Sequence, residues 1–449
     1  VLNSMDNRLR TSIERLQELQ LSDGSWSWYR GMTGSRYITT QIVEMLARLQ
    51  HMNVTLDGKV VPMYTRALGY LQKAVKEDYE TMKKLEKEGA TTLVPNNQVV
   101  HYLYVCALEK QAASLADKQV NAYMTDRLEN RSAEYSIVEK AMIGLIMQAG
   151  GRQRQAQELV QSIKEYTVST PQMGVYFDTP KAPYSWNNYR IPAQVAAMEA
   201  IQQIAPDADM LAGMKLWLLK QKQVQVWESS IATADAVYAF LNGSGNRLQV
   251  NGTMKAVAGN VEVRTPDDVL GYTRKTLTGT DTHVERVVVS KSGTGIGWGA
   301  VYAQYLEEMD KVLPAKGNGV SVAREWWMDG KQISRKTVLH AGDKMTVRLT
   351  VKADRDMDFI RVKDERAACM EPDTQLSGYR WSNGLGCYQV NRDASTEFFI
   401  DRMPKGTYTL EYTVYLDRSG IYQAGAATIQ SVYAPEFSGH TGGQTLTVE

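Results

Sequence analysis

Along the first 241 residues the apolar positions recur at helical spacing. Leu9, Ile13, Leu16 and Leu19 line one face, and Asp23-Gly24 closes that helix with a turn. Ile38, Ile42, Met45, Leu46 and Leu49 repeat the pattern. Further helices are predicted over 62–88, 96–115, 133–148, 152–167, 190–204, 207–222 and 228–241. The charged run Lys76 to Glu88 reads as a solvated helix end. From Arg247 the period changes to alternation. Val261-Glu262-Val263, Val287-Val288-Val289 and Ile296 to Tyr305 read as short strands between Gly-rich turns, the last two forming a hairpin. After Pro314 the alternation is cleaner. Met345-Val347-Leu349-Val351 and Tyr408-Leu410-Tyr412-Val414-Leu416 each place apolar groups on one face. Turn signals at Gly342-Asp343, Pro404-Lys405-Gly406 and Ser419-Gly420 fall at sandwich spacing.

Glycine marks the same boundary: 11 of the 34 lie in residues 1–241 and 23 in residues 242–449. The helical part also carries a loose internal echo. Trp26-Ser27-Trp28-Tyr29 with Tyr37-Ile38-Thr39-Thr40-Gln41 leads into one helix. Val175-Tyr176-Phe177 and Tyr184-Ser185-Trp186 precede another, and Val226-Trp227-Glu228-Ser229-Ser230 a third. Repeated helix pairs, each with an aromatic at the same end, predict a closed ring of hairpins, because no pair buries its apolar stripe alone. The expected architecture is multidomain, α then β. An α/α toroid of helical hairpins spans 1–241, a small β domain 242–309 and a β-sandwich 310–449.

The 449 residues and 50.3 kDa suit two or three domains. Hydrophobic residues at 43% and charged residues at 22% are ordinary globular composition. Lys+Arg at 51 against Asp+Glu at 50 leaves no basic surplus for phosphate, so nucleic acid is not an expected partner. Three cysteines, Cys106, Cys369 and Cys387, make no disulfide framework. Cys369 and Cys387 could meet across strands. No apolar run reaches the roughly 18 residues of a membrane-spanning helix, and no signal peptide opens the chain. The chain starts at Val1 and is expected to be a piece of a longer protein; any membrane contact would come through an upstream anchor.

Each candidate for chemistry in the sequence competes with plain packing. Helical toroids followed by a sandwich resemble polysaccharide lyases, whose chemistry needs an Asn to neutralise the uronate and a Tyr or His to move the α-proton. Asn96, Asn97, His101, Tyr102 and Tyr104 offer those types, as do Asn187, Asn188, Tyr189 and Arg190. The spacing of His101 and Tyr104 is also how a helix buries two amphipathic rings, and packing is the stronger account. Glu307, Glu308 and Asp310 read as a solvated turn and not as a glycosidase pair. His51, His101, His283, His340 and His440 are scattered, without ligand spacing. Gly293, Gly295, Gly297 and Gly299 lie between expected strands, which suits a hairpin better than a phosphate loop. Asp23-Gly24-Ser25-Trp26 resembles the repeat of terpene cyclases, which share the ring of helices, but their Asp-x-Asp-Asp acid is missing. No catalytic, cofactor or metal residue is assigned, and no cofactor is expected.

Spread along the chain are Asp23-Gly24-Ser25-Trp26-Ser27-Trp28 with Tyr37-Ile38-Thr39, and Trp298-Gly299-Ala300-Val301-Tyr302. They are followed by Val322-Ala323-Arg324-Glu325, Gly342-Asp343-Lys344-Met345-Thr346-Val347 and Glu371-Pro372. Ser377-Gly378-Tyr379-Arg380-Trp381 and Tyr433-Ala434-Pro435-Glu436 complete the set. Together these resemble the C-terminal part of bacterial alpha-2-macroglobulins, protease-trapping relatives of complement thioester proteins. The resemblance implies a thioester-type helical ring, a partial CUB-like β domain and a terminal macroglobulin-like domain. It implies a non-enzymatic, broad-spectrum protease inhibitor of the periplasm or cell envelope, with proteases and the other domains of the same chain as partners. In thioester-bearing members a Cys-x-Glu-Gln segment joins the Cys sulfur to the Gln carbonyl. Here Cys106 is followed by Ala107-Leu108-Glu109-Lys110-Gln111, which departs from that spacing, and Cys106 is expected to be a buried helix residue. The motif is absent from this chain. The alternatives kept open are a toroid-plus-sandwich polysaccharide lyase and a non-catalytic adhesion or scaffold module.

Overall fold

The computed structural model describes residues 2–128, 135–171, 173–182, 190–222, 227, 229–242, 254–263, 275–279, 284–293, 299, 301–302, 306–309, 311–315, 317, 319–334, 337–382 and 384–449. The chain divides into two compact units, Val1–Gly299 and Ala300–Glu449.

The first unit is mostly helical. It contains α1 (Leu2–Leu19), α2 (Arg36–His51), α3 (Val60–Lys87), α4 (Asn97–Leu108), α5 (Lys110–Leu115), α6 (Lys118–Asp126), α7 (Ile137–Ala149) and α8 (Gln153–Lys164). A hairpin of β1 (Thr167–Thr170) and β2 (Gly174–Phe177) precedes α9 (Ile191–Ile204), α10 (Ala208–Lys220) and α11 (Ser230–Leu241). Side-chain caps fix several starts. Ser35 accepts from the Ile38 amide ahead of α2, Ser136 and Glu139 form a capping box on α7, and Asp207 caps α10.

The helices fall into two kinds. Helices α4, α7 and α9 are buried almost all round; in α9 every residue from Ala193 to Ile201 is inside. Helix α8 buries a single stripe, Ala156, Leu159, Val160 and Ile163, as a helix with one wet face must. The inner helices pack as a series, α2 on α4, α4 on α7, α7 on α9 and α9 on α11, while α8 lies against α7 and α9.

Two of the aromatic echoes are the same hydrogen-bonded unit. The Trp26 amide donates to Thr39 Oγ1 at 2.9 Å, its indole N–H to the Leu16 carbonyl at 2.9 Å, and Thr39 Oγ1 to the Ser35 carbonyl at 2.8 Å. The Trp227 amide donates to Thr233 Oγ1 at 3.1 Å, its indole to the Leu218 carbonyl at 2.8 Å, and Thr233 Oγ1 to the Ser229 carbonyl at 2.8 Å. In each case the tryptophan ties the end of one helix to the first turn of the next. The remaining echo, the second in sequence, differs: Tyr176 stacks on Trp217 at 6.3 Å, and Tyr184-Ser185-Trp186 lies outside the described residues.

Some sequence expectations change. The helix expected over 96–115 breaks at Glu109, which is extended (φ −132°, ψ 132°) and caps α5 with its carboxylate, accepting from the Gln111 and Ala112 amides. Helix α6 and the β1–β2 hairpin were not anticipated. The hairpin seats on α10 through glycine. Gly174 has φ +78°, and a Cβ there would lie 2.2 Å from the Gly213 carbonyl oxygen. Strands β3 (Met254–Ala258), β4 (Val261–Val263) and β5 (Val287–Lys291) make an antiparallel sheet in the order β4-β3-β5. Thus β5 pairs with β3; most of the expected hairpin partner at 296–305 lies outside the described residues. The described residues of that stretch, Gly299, Val301 and Tyr302, carry no strand.

The second unit is β-rich. Its strands are β6 (Val320–Met328), β7 (Lys331–Gln332), β8 (Lys344–Ala353), β9 (Met357–Glu365), β10 (Met370–Pro372), β11 (Gly378–Ser382) and β12 (Leu385–Asn391). They continue as β13 (Ser395–Met403), β14 (Gly406–Leu416), β15 (Gly420–Ala424), β16 (Ala427–Ser431), β17 (Ser438–His440) and β18 (Gln444–Val448). A five-stranded sheet runs β10-β14-β8-β6-β7 and a six-stranded sheet β11-β12-β13-β9-β16-β17, with β15 and β18 paired separately. The alternation predicted for β8 holds throughout: Met345, Val347, Leu349, Val351 and Ala353 are buried. Side chains of the two large sheets meet where Phe398 lies 6.3 Å from Tyr412, and where Arg324 on β6 pairs with Asp364 on β9 at 2.7 Å. The Tyr412 hydroxyl donates to the other Asp364 oxygen at 2.6 Å. Cys369 and Cys387 are free buried thiols, one preceding β10 and the other on β12, in different sheets.

If the tryptophan units are equivalent, Thr39→Val and Thr233→Val each leave an inward-facing Trp amide without its acceptor. Each is expected to lower unfolding stability by about 1–3 kcal/mol in denaturant titrations.

Candidate functional site

The most concentrated chemistry in the described residues is a buried polar cluster among α2, α4, α9 and α11. Helical spacing puts Glu44 and Arg48 on one face of α2, and Arg48 Nη2 lies 2.7 Å from Glu44 Oε1. Arg48 Nη1 lies 2.5 Å from Asp235 Oδ1 on α11, a contact across 187 positions of sequence. Its guanidinium also faces the Tyr238 ring at 4.5 Å and donates from Nε to the Tyr104 hydroxyl at 3.4 Å. On α4, His101 Nε2 lies 2.5 Å from Glu44 Oε2. Glu199 on α9 accepts from the Tyr104 and Tyr238 hydroxyls, both at 2.5 Å, and from Gln203 Nε2 at 3.4 Å. Glu44, Arg48, His101, Glu199 and Asp235 are all at most 5% exposed.

Burial and pairing divide the carboxylates. Burial would raise Glu44, but Arg48 and His101 outweigh it and hold the group at about 2. Asp235 shares Arg48 with Glu44, and there burial wins, pushing it up to about 6. Burial also pushes the Tyr104 and Tyr238 hydroxyls well above the usual tyrosine range, so both stay protonated donors. The cluster is thus built to hold helices together, with its groups closed to solvent.

The sequence candidates disperse. His101, Tyr102 and Tyr104 are buried, the first and last in the cluster, so they present no open cleft to a polymer. Asn96 caps α4, accepting from the Gln98 and Val99 amides, and Asn97 is exposed in its first turn. Arg190 is half-buried ahead of α9; Asn187, Asn188 and Tyr189 lie outside the described residues. Glu307 and Glu308 are exposed, Glu308 pairing with Lys311, and Asp310 lies outside the described residues. Gly293 follows β5 and Gly299 is described without a strand, whereas Gly295 and Gly297 are not described. His51 reaches the cluster's margin through Gln203 Nε2 at 3.4 Å, His340 and His440 lie in the second unit, and His283 is not described. Among the described residues no group of three or more His, Cys, Asp or Glu side chains could hold a metal. None of the described helices is long and apolar enough to cross a membrane.

Cys106 sits on α4, part-buried, its Sγ 3.9 Å from the Ala112 carbonyl, and burial pushes the thiol up to about 11. Glu109 is spent capping α5, and Gln111 donates to Thr65 Oγ1 at 3.0 Å. Sequence reading missed Glu44, Glu199 and Asp235, although each is a lone acid within an apolar helical stretch, a signal that marks a buried charge.

The family model for the bacterial alpha-2-macroglobulin MG10 domain matches residues 319–436. An alpha-2-macroglobulin homolog from Nostoc sp. is 22% identical over 477 aligned residues, covering 98% of this chain and 23% of the relative. Among solved structures, Escherichia coli alpha-2-macroglobulin activated by porcine elastase is similar at 14% identity and a TM-score of 0.41, covering 99% of this chain and 39% of that one. Salmonella alpha-2-macroglobulin reacted with methylamine matches at 15% identity and a TM-score of 0.33, over 96% of this chain and 27% of that one. Residues 319–436 thus match a bacterial alpha-2-macroglobulin domain model, and the chain aligns along nearly its whole length with a bacterial alpha-2-macroglobulin homolog. It spans about a quarter of the length of the curated relative.

Removing one partner of a buried ion pair strands the others. Arg48→Met is therefore expected to destabilise the helical unit by about 3–5 kcal/mol in denaturant unfolding. Glu44 adds an acid dependence. Its folded value of about 2 lies below its ordinary 4.5, so its contribution is present above pH 4.5 and is lost as pH falls toward 2. Glu44→Gln should flatten that acid limb, as read by helix signal against pH.

Proposed function

We propose that this chain is the C-terminal part of a protease-trapping inhibitor of the periplasm or cell envelope. The single observation that carries this reading is the MG10 match at residues 319–436, downstream of a helical unit that the Nostoc relative also aligns with. Residues 1–241 are read as an α/α toroid of the thioester-domain type, 242–309 as a partial CUB-like β domain and 310–449 as a macroglobulin-like sandwich. The serial packing of inner helices, with Arg48 reaching Asp235, supports the ring. The contact of Phe398 with Tyr412 supports the sandwich.

The parent protein would act on proteases, as the elastase and trypsin named with the Escherichia coli structures suggest. The role is non-enzymatic. A protease would be held by a rearrangement of the whole molecule, and this chain supplies a rigid helical body and a terminal β body to that rearrangement. With no Cys-x-Glu-Gln segment here, any covalent capture would come from outside these residues. The buried positions of His101 and Tyr104 weigh against the lyase alternative.

The small sheet supports a domain completed by another segment. Val288 and Val289 of β5 are 44% and 59% exposed and Met254 of β3 is 41% exposed.

The test is incubation of elastase or trypsin with the parent protein and with this chain alone. The parent is expected to shield the protease from large substrates while small ones are still cut, and this chain alone to leave both activities unchanged. Hydrolysis or elimination of any polysaccharide by the purified chain would refute the reading. Extending the chain upstream is expected to slow amide exchange in β5; equal exchange would refute the partial-domain assignment.

A further inference from the structure

The buried cluster does not balance its charges. Three carboxylates, Glu44, Glu199 and Asp235, lie within one hydrogen-bonded network, each at most 5% exposed. Even with His101 charged, the cations of the network among the described residues number two, Arg48 and His101. Glu44 takes both of them, at 2.7 Å and 2.5 Å. Glu199 is met by two tyrosine hydroxyls and an amide, which stabilise an anion without neutralising it. Asp235 has Arg48 on Oδ1 alone, and shares it. A buried, uncompensated negative charge costs several kcal/mol, and carboxyls sharing such a site retain a proton in preference to it.

We propose that the helical unit holds a proton in this cluster, on Asp235, and releases it when α11 parts from α2, so that this closure tightens in mildly acidic medium and loosens as the pH rises to neutrality. Arg48 of α2 bonds Asp235 directly, Glu44 of α2 and His101 of α4 act on it through space, and the network is completed by Tyr104 of α4, Glu199 of α9 and Tyr238 of its own helix. Helix α10 also packs against α11; its buried side chains are Met214, Trp217 and Leu218, and its charged residues, Asp209, Lys215 and Lys220, are not among the buried ones. The proposal stands apart from the protease-trap reading, because it concerns the helical unit itself.

The direction follows from linkage. The folded value of Asp235, about 6, lies above its ordinary 3.8, so the folded unit binds this proton more tightly than the unfolded chain. Stability is therefore gained below the folded value and lost as pH rises through it. Glu44 works in the opposite sense below 4.5. Stability is therefore expected to climb as pH falls from about 6 toward 4.5 and to be greatest at about pH 4–4.5, where the Glu44 loss begins to offset the Asp235 gain.

The experiment is thermal unfolding of the whole chain, followed by helix signal from pH 7.5 to 5.0, for the natural sequence and for Asp235→Asn. The natural chain is expected to gain several degrees on acidification. Asp235→Asn, which imitates the protonated form, is expected to be flat over that range and no less stable than the natural chain at pH 7.5. Equal slopes in the two proteins, or a natural midpoint that falls steadily on acidification, would overturn the proposal. Should the variant fail to fold, the infrared spectrum of the natural chain decides. A carboxylic-acid carbonyl band present at pH 5.5 and lost by pH 8 with the fold intact supports it, and its absence at pH 5.5 overturns it.

Discussion

Arg48 is the side chain on which the helical unit depends. One guanidinium binds Glu44 a turn away on α2, Asp235 on α11, and the hydroxyl and ring of two tyrosines on α4 and α11. Apolar contact orders the inner helices only as neighbours: α2 on α4, α4 on α7, α7 on α9, α9 on α11. Such contacts are non-directional and would tolerate a looser, open arrangement of the same helices. A buried, hydrogen-bonded cation is different. It accepts only partners placed at fixed distances, so it specifies where the last helix must meet the second. The charge is expensive to bury, and its use here fits specification of one arrangement better than gross stability.

The division of labour extends to the tryptophan units. Trp26 and Trp227 each fasten a helix end to the following helix start by a hydroxyl that also bonds its own first turn. These are local joints, repeated, while the Arg48 contact is long-range and single. In the β-rich unit Arg324, Asp364 and Tyr412 repeat the logic in small, placing one buried ion pair and its tyrosine partner between the two large sheets. The same composition that suggests an ordinary globular chain therefore hides a few charges that decide geometry.

Much of this was legible in the letters. The change of period after residue 241, the alternation of β8 and β14 and the echo of Trp26 in Trp227 all reflect local rules of spacing, which sequence displays directly. The break at Glu109 was not legible, because Glu is a good helix former and its capping role depends on the turn that follows. The β1–β2 hairpin was hidden since its seat is a close approach of Gly174 to Gly213, a tertiary fact. The pairing of β5 with β3 crosses a long connection that no periodicity records. Of the cluster, His101 and Tyr104 stand out in the sequence, where their spacing favours two packed amphipathic rings over proton transfer, and both are buried. Asp235 and Glu199 acquire meaning only from partners far away in sequence.

Hydrogen exchange of the intact chain is the most direct test of the Arg48 closure. With α2 and α11 tied through one buried guanidinium, their slowest amides should exchange through a single shared opening, with matching free energies and matching denaturant dependence. Exchange of α11 through a separate, much smaller opening, while α2 stays protected, would contradict the closure.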